Sequence, residues 1–425
     1  MQDSLEVKLA EISGEIYKQN TYLVGMHLRD AVNVLSTMRS IPTSARPDLL
    51  ARACILFAAA GLETNLSYFC TLALAISEAV PAGSIYKEPE IEYLRAVRTT
   101  FSKDANLSNE KQAQLLSDRL LRVPKLLGKA FGREFAMAPA EPIGDRLDVL
   151  IKKHDALIHP GWDRYPEVGL EDAADAIYGV LDYLETVRQQ FHPFLIGYMT
   201  LLSAYFPLVA DLVGDQPLPP RFRVLENREE LLAALAGEWV DAHTMFDIAN
   251  VHGTESDSEG NMLTRAALVS VYSMVMAHMS LLGKMAVVLN PGLFSDKEFN
   301  FLNEKDYQWS DEGDLILDTA KQTFKIRATV AMTLVAKKVS PNALAFQEGV
   351  TWFQLMFKEY LPMRNRVMHS KFGETTARVT KPELRAAFEA IRSYAAHVAL
   401  AGGILAFYQG LLDRSPLKYL SPEAS

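Results

Sequence analysis

Within the stretch "MRNRVMHSKFG" (363–373), Arg364, Asn365 and His369 have the types and spacing that could do chemistry. A guanidinium keeps its charge at neutral pH and grips two phosphate oxygens at once. An imidazole with a pKa near 6.5 takes or gives a proton at neutral pH. Residues 365 and 369 are four apart and so share one face of a helix. Arg364 lies on the flank of that face and reaches it through its long side chain, and Arg366 adds a second guanidinium. Such a group suits phosphodiester cleavage by an RNA's own 2′-hydroxyl. One side chain takes the hydroxyl proton and another protonates the leaving oxygen, a scheme that calls for neither metal nor cofactor. The competing reading is a helix C-terminus that favours cations through its dipole, with Asn365 solvated.

The elements that must position this group read as helices. Apolar residues recur at i, i+3, i+4 and i+7, as in "LLARACILFAAAGLETNLSYFCTLALAI" (49–76) and "ELRAAFEAIRSYAAHVAL" (383–400), and period-2 alternation is scarce. Breakers such as "VPAGS" (80–84), "APAEPIG" (138–144) and "HGTESDSEGN" (252–261) fall between the runs. The expected class is all-α. The three prolines of "GDQPLPPRFR" mark the best boundary. It divides the chain into a first helical bundle over 1–213, a Pro-rich linker over 214–222 and a second bundle over 223–425.

The halves align with each other. Arg52-Ala53 stands opposite Arg265-Ala266 at an offset of 213, and His159 in "KKHDALIHPGW" stands opposite His369 at an offset of 210. Each histidine precedes a polar loop and a further amphipathic helix, starting near Glu171-Asp172 and Lys381-Pro382-Glu383. Nearly constant offsets in the same order predict an internal duplication.

"MRNRVMHS" in an all-helical setting resembles the HEPN superfamily, whose signature is an arginine, a following polar residue such as asparagine, and a histidine four to six residues on. "AAAGLETNLSYF" (58–69) resembles an early helix of that family, which often carries an acidic residue near the place of Glu63; Asn65 is a second polar candidate there. The resemblance implies two tandem HEPN-like bundles and a metal-independent endoribonuclease with RNA as substrate, of the kind found in toxin–antitoxin and anti-phage systems. It gives Arg364 the scissile phosphate, His369 the proton transfers and Asn365 a positioning role. The first half departs from the signature. His154 stands in place of the arginine, Asp155 in place of the asparagine, and Lys153 keeps a charge without the planar fork. The second half has Met276 opposite Glu63. Since family members work as pairs, His159 is the expected complement to His369, with Lys153, His154 and Arg366 as further substrate contacts and Glu63 in support. A homodimer pairing two copies of the second motif is the alternative arrangement. The rival function is a non-catalytic HEPN-like protein-binding module, or a toxin component controlled by a regulatory protein.

Composition narrows the setting. A net charge of −9 and a pI of about 5.6 argue against general nucleic-acid binding, so any RNA contact must be local. Cys54 and Cys70 lie on one predicted helix, about 24 Å apart at 1.5 Å per residue, too far for a disulfide. The amphipathic start "MQDSLEVKLAEI" does not read as a signal peptide, and the apolar run 194–213, interrupted by Pro207 and Asp211, reads as a buried helix rather than a span. The expected setting is cytoplasmic and free of membrane. "EWVDAHTMF", with Glu238, Asp241 and His243, reads as a solvated face rather than a metal site.

Overall fold

The computed structural model describes residues 2–40, 47–79, 85–101, 107–111, 114–135, 142–158, 164–195, 199–252, 260–309, 315–319, 324–339, 354–368 and 378–401. They are mostly helical, as the periodicity requires. The first half runs α1 (Gln2–Ser40), α2 (Pro47–Ala79), α3 (Glu88–Arg95), the antiparallel hairpin β1 (Val97–Phe101) and β2 (Leu107–Lys111), α4 (Leu116–Phe131) and α5 (Pro142–Ile158). It continues through β3 (Tyr165–Glu167), α6 (Leu170–Gln190) and α7 (Met199–Val209) to β4 (Arg221–Arg223). The second half runs α8 (Arg228–His252), α9 (Gly260–Leu289), α10 (Asp296–Leu302) and the antiparallel hairpin β5 (Lys305–Trp309) and β6 (Leu315–Thr319). Next comes α11, which opens at Phe324–Ile326, widens into a π-turn at Arg327–Ala331 and continues as Met332–Val339. In α12 a π-turn at Leu355–Tyr360 leads into Leu361–Met368, and α13 spans Lys381–Ala401.

Two helices organise the packing. α2 and α9 are apolar on nearly every side, and such helices must be covered on nearly every side. By length and composition each could cross a membrane, but 89% and 83% of their most apolar windows are buried inside the protein. α1, α4, α5 and α6 surround α2; α8, α11, α12 and α13 surround α9; and α2 touches α9. A single continuous core joins the halves. Gly61 permits the close approach of α1, since a Cβ there would meet the Leu28 side chain at 2.9 Å.

Several local devices occur once in each half. Ala96 and Glu304 both adopt positive φ, 51° and 53°, directly before the two hairpins. The Tyr183 hydroxyl on α6 donates to the Leu120 carbonyl at 2.8 Å, and the Tyr394 hydroxyl on α13 donates to the Ala328 carbonyl at 3.1 Å. A carboxylate caps the start of each of these helices: Asp172 accepts from the Gly169 N–H at 2.8 Å, and Glu383 from the Thr380 N–H at 2.8 Å.

Three expectations change. The apolar run 194–213 does not form a buried helix: α7 covers its middle and leaves Pro207 and Leu208 exposed. The Pro-rich stretch is no free tether. β4 pairs with β3, Lys153 donates to the Leu218 carbonyl at 3.0 Å, Arg146 donates to the Gly214 carbonyl at 2.6 Å, and the Leu218 N–H donates to Asp175 at 3.2 Å. Prolines exclude helix here, but the flanking carbonyls still need partners, and buried cations of α5 supply them. Glu238, Asp241 and His243 are buried rather than solvated: the two acids meet Arg52 of the other half, and His243 packs against Trp239 and Phe388.

Candidate functional site

The seam between the halves is built by exchange. Arg52 on α2 donates to Glu238 on α8 at 2.5 Å, and Arg265 on α9 donates to Asp30 on α1 at 3.0 and 2.5 Å. Each central helix thus sends its arginine to an acid on the other half's leading helix. The Tyr165 hydroxyl adds a further bond to Glu238. Arg265 and Asp30 are both almost fully buried. Burial raises the Asp30 pKa, opposed by the Arg265 charge and hydrogen bond and by Arg29. Helix packing is reciprocal as well: α5 packs on α9, and α12 packs on α2. Each motif-bearing helix therefore lies against the central helix of the opposite half.

That crossing puts Arg364 next to first-half residues. Arg364 stands half-buried on α12, and its Nη1 donates to the Asn365 Oδ1 at 3.1 Å. Burial lowers its pKa to about 10, while Tyr272 on α9 and Glu63 on α2 favour its charge. The guanidinium stays cationic at neutral pH, partly sheltered and within electrostatic reach of a carboxylate from the opposite half. Asn365 and Arg366 are exposed. Asn65, two residues beyond Glu63, turns elsewhere: it is buried and donates to the Val24 carbonyl at 3.1 Å and the Gly61 carbonyl at 2.7 Å, stapling α2 to α1.

The first-half candidates have a different environment. Lys153 is 2% exposed; its ammonium sits 2.7 Å from Asp172 and donates to the Leu218 carbonyl. Its donors serve buried partners, and it shares Asp172 with Arg221, whose guanidinium lies 2.5 Å from that carboxylate. His154 is also buried, its Nδ1 3.4 Å from the Asp155 carboxylate, so it too is an interior group rather than an open contact. His159 and His369 lie outside the described residues. The structure therefore places Arg364 beside Asn365 and within electrostatic reach of Glu63, while Lys153 is paired with Asp172 and His154 with Asp155.

Sequence reasoning missed Tyr272 and the exchange at the seam. The signal for the exchange was an arginine inside each of two strongly apolar helices, since a buried guanidinium must find an acid. Around Trp239, His243 packs at a centroid distance of 4.9 Å and His278 at 6.3 Å. Burial, with the charge of Arg392, pushes His243 down to about 4; burial likewise takes His278 to about 4, outweighing its Met274 carbonyl bond and Glu238. Both rings are neutral at neutral pH and act as core. No protein-family profile, no curated protein and no solved structure matches the chain.

Proposed function

We propose that the chain is a tandem pair of HEPN-like helical bundles that works as a metal-independent endoribonuclease. The observation that carries this reading is Arg364 bonded to Asn365 on the motif helix, half-sheltered and within electrostatic reach of Glu63 of the other half. Support for duplication comes from the recurring order of elements, the matched tyrosine–carbonyl bonds and the reciprocal arginine–acid exchange. Contacts in which each member gives the other the same kind of group mark a two-fold related pair.

In this reading the ribose 2′-oxygen attacks the adjacent phosphorus and the 5′-oxygen leaves, giving a 2′,3′-cyclic phosphate and a 5′-hydroxyl. Arg364 neutralises the charge that builds on the non-bridging oxygens. Glu63 holds the guanidinium in place and sustains its charge against burial. His369 transfers one proton, either from the 2′-hydroxyl or to the 5′-oxygen, and His159 of the first half is its complement. Asn365 orients the phosphate or the histidine, and exposed Arg366 contacts a flanking phosphate. A cytoplasmic setting, with a role as a toxin or anti-phage effector, belongs to the same proposal.

The second reading is a non-catalytic protein-binding module, or a toxin component silenced by a partner. The locked Lys153–Asp172 network favours it for the first half, whose motif helix has spent its cation on structure. The experiment that separates the two is incubation of end-labelled single-stranded RNA with the purified chain in EDTA. Fragments ending in 2′,3′-cyclic phosphate support the nuclease; intact RNA across several sequences and salt conditions supports the binding module.

A further inference from the structure

Among the described residues, the motif helix leaves regular α geometry just before Leu361. Over Leu355–Tyr360 it is wound as a π-turn, in which the Leu361 N–H reaches back five residues to the Met356 carbonyl. Pro362, one residue later, explains the widening: it has no N–H to donate, and its ring crowds the preceding turn. Single π-turns recur beside functional groups because they shift the register of everything that follows. Arg364 and Asn365 follow directly.

A second donor meets the same carbonyl. Tyr272, 2% exposed on α9, donates its hydroxyl to the Met356 oxygen at 2.8 Å. Tyr272 also adjoins Arg364 closely enough for the guanidinium to act on the phenol, although burial dominates and raises the Tyr272 pKa. One side chain is therefore bonded to the irregular turn and lies within electrostatic reach of the residue whose position that turn sets. The first half has neither part. Ala59 occupies the place of Tyr272 in the alignment that pairs Arg52 with Arg265, and α5 is α-helical from Pro142 to Ile158. The device belongs to the half with the complete signature.

We propose that Tyr272 is a positioning residue, which clamps the π-turn at Met356 and thereby fixes where Arg364 presents its guanidinium to a phosphodiester. This rests on the nuclease reading for its consequence and on the hydrogen bond for its structure.

Tyr272→Phe removes the hydroxyl and keeps the ring. Two readouts are taken: RNA cleavage kinetics, and amide hydrogen exchange across 354–368 with α1 and α6 as internal controls. The expected result is a kcat about tenfold to a hundredfold lower with KM within about twofold, as for a displaced catalytic group. Exchange should be faster in 354–368 and unchanged in the controls. An active wild type whose kcat survives Tyr272→Phe overturns the positioning role, even if exchange rises. Should the wild type leave RNA intact, the nuclease reading falls and exchange alone judges the clamp: faster exchange in 354–368 upholds it, and unchanged exchange overturns it.

Discussion

Removing the guanidinium from the seam should be costly in a way that removing the whole pair is not. In Arg265→Met the Asp30 carboxylate keeps its place, 1% exposed, and loses hydrogen bonds of 3.0 and 2.5 Å. Stranding one member of a buried ion pair typically costs about 3–5 kcal/mol. For 425 residues the unfolding entropy is about 0.9 kcal/mol per degree, so the melting temperature should fall by about 3–6 °C. The double variant Asp30→Leu with Arg265→Met removes both members of the pair, leaves Arg29 as the cation nearby, and should recover most of the single variant's loss, since apolar replacement of such pairs is often neutral or better. The pH dependence adds a second arm. Burial already holds the folded-state pKa of Asp30 above its ordinary value. A raised folded pKa contributes stability that is full below the unfolded value and lost as pH rises through the folded one. Without Arg265 that pKa climbs further, so the deficit of Arg265→Met should be largest near neutrality and shrink as pH falls toward 4. Urea denaturation of the four proteins of the cycle at pH 7 and pH 4.5 measures all of this. A single-variant cost under about 1 kcal/mol, or a double variant that merely sums the two singles, would refute the buried-tie argument.

Two further outcomes are expected. His243 and His278, depressed to about 4, contribute stability that is full above their ordinary pKa near 6.5 and is lost as pH falls through 4. The urea midpoint should therefore drop between pH 6.5 and pH 4, and the drop should shallow in His243→Phe; an identical profile would remove that histidine from the account. Glu63→Gln should slow RNA cleavage by about tenfold in the wild-type background and add little to Arg364→Ala, because the carboxylate acts through the guanidinium. Full additivity in the cleavage rates of that cycle would detach Glu63 from the site.

The legible parts of this protein were those set by local chemistry. α2 and α9 could be placed because runs such as "ACILFAAAGL" and "LVSVYSMVMAHMSLL" leave no side for water. The two hairpins were missed: each strand has five residues, too short for alternation to stand out from helical surroundings. The burial of "EWVDAHTMF" was also misjudged. Its charged residues signal a wet face unless their partners are known, and Arg52 lies 186 positions from Glu238. Arg364 and Asn365 could be singled out from a six-residue signature, whereas Tyr272 could not, because its role depends on a π-turn and a carbonyl 84 residues away. The burial of Lys153 was hidden for the same reason, since Asp172 reaches it only once α5 and α6 pack.

The central claim is that Arg364 and His369 carry out phosphodiester cleavage. Its most direct test is the rate at which wild type, Arg364→Ala and His369→Ala cut one labelled single-stranded RNA in EDTA, with the product ends identified. The account predicts cyclic-phosphate ends from the wild type and a loss of at least a hundredfold in each variant. Cleavage by both variants at the wild-type rate would contradict it.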